Sequence, residues 1–167
     1  ISKGDVVFDI GAHHGEWSEA VSKKCECYIH MFEASPEAFN VLKKKNNNNY
    51  TINNIAASDK SGNLAFHVYR DDPRLSSAHR RISVEDTLLV SGYDIYEVTS
   101  TSVDDYWPIG KGMINFLKVD VKGSEYEVLR GARKLLRRGA INYIQFEYGG
   151  TFANAGTSLK LVYYYLR

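Results

Sequence analysis

The sequence predicts an α/β fold: an open, mostly parallel sheet with helices on both faces and an antiparallel insertion around residues 63–102. Three observations carry this expectation. Short continuous apolar runs, which suit strands covered on both faces, alternate with segments of helical periodicity along most of the chain. The middle breaks that rhythm with two stretches, 64–69 and 96–100, in which apolar and polar residues alternate as in an antiparallel pair. Acids and glycines gather directly after the apolar runs, where an open α/β sheet binds its ligands.

The elements follow in order. Residues 6–10 are a short apolar run and read as the first strand, expected near the sheet centre; Trp17, Ala20, Val21 and Cys25 then recur at helical spacing. Residues 28–32 read as the second strand. Ser35-Pro36-Glu37 opens a helix with an N-cap serine, a proline at the first helical position and an acid in the first turn; Phe39 and Leu42 supply its inner face. Three lysines and four asparagines (43–49) make a polar loop, and residues 52–57 read as a third strand. After the antiparallel insertion comes a strand over 114–121, and Gly123 turns it into a helix. Ser124 and Glu127 read as a capping box there, Val128, Leu129, Ala132, Leu135 and Leu136 form one face, and Gly139 stops it. A strand over 141–146 ends on Glu147. No internal repeat or linker divides the chain, so one domain over 1–167 is expected.

The totals narrow the function. The protein has 167 residues, 44% hydrophobic and 25% charged, with a net charge of +1. That balance offers no field for nucleic acid or an anionic membrane, and no stretch approaches the roughly 20 apolar residues that span a bilayer. The two cysteines, Cys25 and Cys27, read as reduced thiols, which suits a cytoplasmic location.

The stretch VFDIGAHHGEW places Asp9, Gly11 and Gly15 in the spacing D-x-G-x-x-x-G rather than the dinucleotide fingerprint G-x-G-x-x-G. A pyrophosphate favours bare amides at a helix start, whereas a carboxylate suits a ligand with a cationic group. Glu33 follows Gly11 by 22 residues, where an acid accepts the two hydroxyls of a ribose. Asp9 alone also suits a helix cap, and Glu33 alone suits a helix start; together and in this order they favour a ligand. An adenosyl group plus an amino acid, without phosphate, describes S-adenosyl-L-methionine.

The blocks VFDIGAHHGEWS, FEASPEAFNVL, NNIAASDKSGNLAFHV and VTSTSVDDYW, and above all FLKVDVKGSEYEVLRGA followed by IQFEY, resemble the FkbM-type methyltransferases. The likeness spans nearly all of residues 5–150. It implies a Rossmann-like class I methyltransferase sheet and transfer of a methyl group to a hydroxyl oxygen of a sugar, glycan or secondary metabolite. It also implies a cofactor cleft made by the first block (Asp9, Gly11, Ala12, His13, Gly15), by Glu33 with Ala34, and by Ala56, Ala57 and Ser58. Two residues depart from the pattern: Lys122 stands where the family usually has a glutamate, and the His13-His14 pair is unusual. The family also usually has further strands closing the far edge of the sheet, so this chain is expected to lack its C-terminal edge strands.

Methyl transfer to oxygen needs alignment and removal of a proton. Asp120, ending the strand after Lys118, is the first candidate base and Glu147 the second; Asp120 also reads as a helix cap or as an anchor for the cofactor amine. Glu125 suits a helix dipole. Asp120, Glu125 and Glu147 lack a diagnostic metal-ligand spacing, so no metal is assigned. His13, His14 and His79 read as loop residues, although His79, in a polar stretch with Arg74, Ser76 and Ser77, is placed to meet a hydroxylated acceptor. Two other classes stay open: an inactive nucleoside-binding module and an NAD-type enzyme.

Overall fold

The computed structural model describes residues 1–81 and 91–167, so the part of the insertion at 82–90 lies outside the described residues. The elements run β1 (Val6–Ile10), α1 (Glu16–Ser22), β2 (Tyr28–Phe32), α2 (Pro36–Leu42), β3 (Tyr50–Asn53) and β4 (Ala56–Ser58). They continue with β5 (Gly62–Tyr69), β6 (Tyr93–Ser102), α3 (Val103–Tyr106), β7 (Ile114–Val119), α4 (Glu125–Gly131) and α5 (Arg133–Arg137). β8 (Ile141–Phe146), α6 (Thr151–Asn154) and α7 (Leu159–Leu166) follow.

The main sheet has the order β3-β2-β1-β7-β8 with every neighbouring pair parallel, so the strand carrying Asp9 is central as expected. Side chains alternate across a strand. In β1 this sends Val7 to a core with Ile29, Met31, Leu42, Trp17 and Val21, beside α1 and α2. Phe8 and Ile10 go to the opposite core with Val103, Trp107, Val128 and Leu135, beside α3, α4 and α5. The alternation of helix and strand thus builds the Rossmann-like sheet flanked by helices that the sequence implies. A second sheet, β4-β6-β5, contains the expected antiparallel pair, β5 with β6, and a parallel pair of β4 with β6. Among the described residues no helix is long and apolar enough to cross a membrane.

Two element expectations are corrected. The run at 52–57 is two strands in different sheets. The Asn53 amide donates to the Met31 carbonyl at 2.9 Å and the Asn54 amide to the Glu33 carbonyl at 2.8 Å, which ties off the end of the main sheet and lets Ala56–Ser58 pair with β6. The long helix after Gly123 breaks at Ala132 into α4 and α5. Gly131 there passes so close to Ser58 that a Cβ would stand 2.0 Å from the Ser58 carbonyl oxygen.

His30 on β2 packs against Phe8, Tyr106 and Trp107, with Nδ1 2.9 Å from the Tyr106 hydroxyl. Burial, with the Lys111 charge behind it, lowers its pKa to about 4. The unfolded chain takes up a proton near 6.5 and the folded one does not, so stability is complete above 6.5 and is lost as pH falls toward 4. Replacing His30 by Phe is expected to flatten that acid limb in urea denaturation between pH 7 and 4. An unchanged slope would remove His30 as its cause.

Candidate functional site

The strand ladders run on past the strand ends and bring the chemistry to one edge. Asp120 N–H donates to the Ile10 carbonyl at 2.9 Å, Glu147 N–H to Val119 at 3.1 Å and Glu33 N–H to Asn53 at 3.0 Å; the Gly11 and Ala12 amides both donate to Phe32 at 3.0 Å. Two cavities open there, of about 270 Å³ and about 440 Å³, and they share Gly11, His13 and Asp120.

The first cavity has a largely apolar wall that includes Ile10, Phe32, Ile55, Ala57 and Phe66, with Ala34, Ser58 and Lys122 also on its lining. Glu33 is the buried acid on that wall, 7% exposed. Its Oε2 accepts from the His13 backbone N–H at 2.7 Å and its Oε1 from the Ser35 N–H at 2.8 Å. Burial pushes the carboxyl above its ordinary range, while those two amides favour the charged form. Each carboxylate oxygen accepts more than one hydrogen bond, so acceptor capacity remains for a ligand's hydroxyls. Ser76 and Ser124 also line this cavity, and their buried hydroxyls have no hydrogen-bond partner among the described residues. Buried polar atoms without partners are costly, and a ligand with polar groups satisfies them.

Asp9 lines neither cavity. It is fully buried, its Oδ2 accepts from the Ser18 hydroxyl at 2.6 Å, and its Oδ1 from Lys118 Nζ at 2.7 Å. The same ammonium donates to the Gly11 carbonyl at 3.1 Å. Asp9 therefore holds Lys118, and Lys118 holds the turn that lines both cavities. Gly11 has φ +78, and a Cβ on it would stand 1.9 Å from the Asp120 carbonyl oxygen, so the glycine is required by backbone approaching backbone. Gly15 lines neither cavity; it precedes α1 with φ +80, and a Cβ there would meet Leu42 at 2.7 Å.

The second cavity is lined by Ala12, Glu16, Trp17, Lys118, Gln145 and Glu147 as well as the three shared residues. The two sequence candidates for the base meet at its edge through Lys122, whose Nζ lies 2.7 Å from Asp120 Oδ1 and 2.7 Å from Glu147 Oε2. Burial alone raises the Asp120 carboxyl, but the Lys122 ammonium, helped by Lys118, outweighs it and holds the carboxyl below the usual range. The two acids in turn raise Lys122 against the burial that would lower it. Lys122 takes φ +55, and its carbonyl accepts from the Ser77 hydroxyl at 2.8 Å, which fixes the turn.

The expected capping box is not formed: Ser124 makes no side-chain cap, and Glu127 faces His79 at 3.6 Å. Glu125 takes over. Its Oε1 accepts from the Val121 N–H at 3.0 Å and its Oε2 from Gly123 at 2.9 Å, because the turn through Lys122 aims those amides back at it. Glu125 is thus a structural acid that lines neither cavity. His79 lies off both linings too, and hydrogen bonding to Glu127 raises its pKa. Arg74 and Ser76, from the same polar stretch, border the first cavity rather than the second. Sequence reasoning missed Ser76, Ser124, Phe66 and Ile55 as lining residues. Serines and a lone Ile55 in loops carry no periodic signal, and the alternation that marks Phe66 as a strand residue does not say what its strand faces; only the return of β4 and β5 over the sheet edge brings them together.

Comparison with curated proteins and with solved structures finds no match. A family model described as the methyltransferase FkbM domain matches residues 9–167, which includes every residue of both cavities. By that match, in agreement with its parallel sheet and its ligand-sized clefts at the carboxyl edge, the protein belongs to the FkbM methyltransferase family.

Proposed function

We propose that the protein moves a methyl group from S-adenosylmethionine to a hydroxyl oxygen of a sugar, glycan or secondary metabolite. The observation that supports this most directly is the pair of cavities meeting at Gly11, His13 and Asp120, one carrying the buried Glu33 and the other the carboxylates of Glu16, Asp120 and Glu147 with Lys118. The first fits a nucleoside: Glu33 has acceptor capacity for ribose hydroxyls, the wall around Phe32 and Phe66 suits a flat base, and the Ser76 and Ser124 hydroxyls are available to it. S-adenosylmethionine, when bound, supplies an activated methyl group on a sulfonium.

The remaining work belongs to the chain. Gly11 and His13 shape the passage between the cavities, and Asp120 stands on both linings, where it accepts the proton the hydroxyl loses. Its depressed proton affinity is no obstacle, because a hydroxyl that has just gained a methyl group is a strong acid. Lys122 keeps the carboxylate charged and aimed. Glu147, on the same ammonium, faces the second cavity as a further acceptor for substrate hydroxyls. The free thiols fit a reducing compartment such as the cytosol, since burial pushes Cys27 up to about 11 and leaves it inert.

Incubation with methyl-labelled S-adenosylmethionine and a panel of glycans, nucleotide sugars and lysate metabolites tests the proposal. Labelled product with stoichiometric S-adenosylhomocysteine supports it; nucleoside binding with no turnover on any acceptor would favour the inactive binding module. The ribose assignment has its own check. Glu33→Gln keeps the shape but removes a charged acceptor worth roughly 1.5–3 kcal/mol, so calorimetry with S-adenosylhomocysteine is expected to show an affinity one to two decades weaker. Equal affinities would take Glu33 off the ribose.

A further inference from the structure

We infer that His13, His14 and Glu16 form a binding site for one divalent transition-metal ion of the zinc class at the rim of the second cavity. Glu16 Oε1 lies 3.6 Å from His14 Nδ1 and Glu16 Oε2 lies 4.0 Å from His13 Nδ1, and one ligand atom from each of the three residues falls within 4.8 Å of the others. A tetrahedral zinc with bonds of about 2.0–2.1 Å to nitrogen holds neighbouring ligand atoms roughly 3.4 Å apart. The two Glu16 spacings exceed that by about 0.2 and 0.6 Å, which the Glu16 side chain, 68% exposed, closes by rotation, and the two half-exposed imidazoles draw in within the 4.8 Å that already bounds the set. Two imidazoles and one carboxylate suit zinc, cobalt and nickel, and leave further positions for water or a substrate oxygen.

The site is held ready by the backbone. His13 sits at φ +51 with its N–H fixed on Glu33, and the Gly15 N–H closes the turn onto the Ala12 carbonyl at 2.7 Å. The two rings stack with centroids 3.8 Å apart and planes at 27°, which sets both edges toward Glu16. The charge around the cavity also favours a cation. Glu16, Asp120, Glu147 and the supporting Asp9 set four carboxylates against the two ammonium groups of Lys118 and Lys122. His13 and Glu16 line the same cavity as Asp120, so an ion here faces the space where the proposed acceptor binds. Binding of the ion itself does not depend on the methyl-transfer proposal.

Titration of the whole chain with Co²⁺, followed by its visible absorption, and displacement by Zn²⁺ test the site. One saturable ion per chain is expected. Loss of one ligand costs at least what loss of an outer-shell partner costs, so His14→Ala and Glu16→Gln are each expected to bind about tenfold or more weakly. Thermal melting without metal confirms that the variants fold, and their S-adenosylhomocysteine affinity is expected to match the parent's. No saturable binding by the parent would overturn the inference, as would undiminished binding by both variants.

Discussion

Asp120→Asn is expected to lower single-turnover methyl transfer by roughly 10²–10⁴, the usual worth of a general base, while leaving S-adenosylhomocysteine affinity nearly intact. The amide has the carboxylate's shape and keeps its place between the Ile10 carbonyl and Lys122, but it accepts no proton. Measuring both quantities on one variant separates the roles open to this residue. Weakened donor binding with a near-normal rate at saturating donor would make Asp120 an anchor for the cofactor amine. If neither value moved, Asp120 would be only a turn acid, and Glu147, the other partner of Lys122, would become the residue to replace.

Lys118→Met is expected to cost the fold about 3–5 kcal/mol, read as a lower midpoint in urea, because it takes the counter-ion from a fully buried carboxyl that burial already pushes above its ordinary range, and leaves Asp9 only the Ser18 hydroxyl. The stem of Lys118 is itself mostly buried, so methionine conserves the packing and isolates the carboxyl. Adding Asp9→Asn removes the unpaired buried carboxyl and is expected to return a good part of the loss. If the double variant is no more stable than the single, the cost lies in lost packing or in the bond to the Gly11 carbonyl instead.

The sheet was largely readable from the chain because its signals are local. The apolar run before Asp9 and the Ser35-Pro36-Glu37 start each reappear as an element, and the Ser35 hydroxyl does accept from the Ala38 N–H. The misreadings came where a contact distant in sequence decides. Nothing near residue 54 announces that two asparagine amides will end β3 and hand the chain to another sheet. The Ser124–Glu127 spacing fits a capping box, yet the positive φ at Lys122 redirects the amides to Glu125. The site divides the same way. Glu33 and the Ala57-Ser58 pair line the cavity that the family resemblance implies, whereas the inward turn of Asp9 toward Lys118 depends on two strands meeting in register.

Lys122 carries a consequence for how this protein changes under selection. A branched or long side chain at φ +55 costs backbone strain of order 1–3 kcal/mol, which glycine or asparagine largely avoids. A library screened only for heat resistance is therefore drawn toward those two residues at position 122, since each relaxes the turn. If Asp120 is the base proposed above, such a winner is expected to be sturdier and slower in methyl transfer, because Asp120 and Glu147 would lose the ammonium that joins them. Robustness and reactivity pull this one codon in opposite directions, and an ancestor rebuilt for stability alone would carry the signature of having lost that contest.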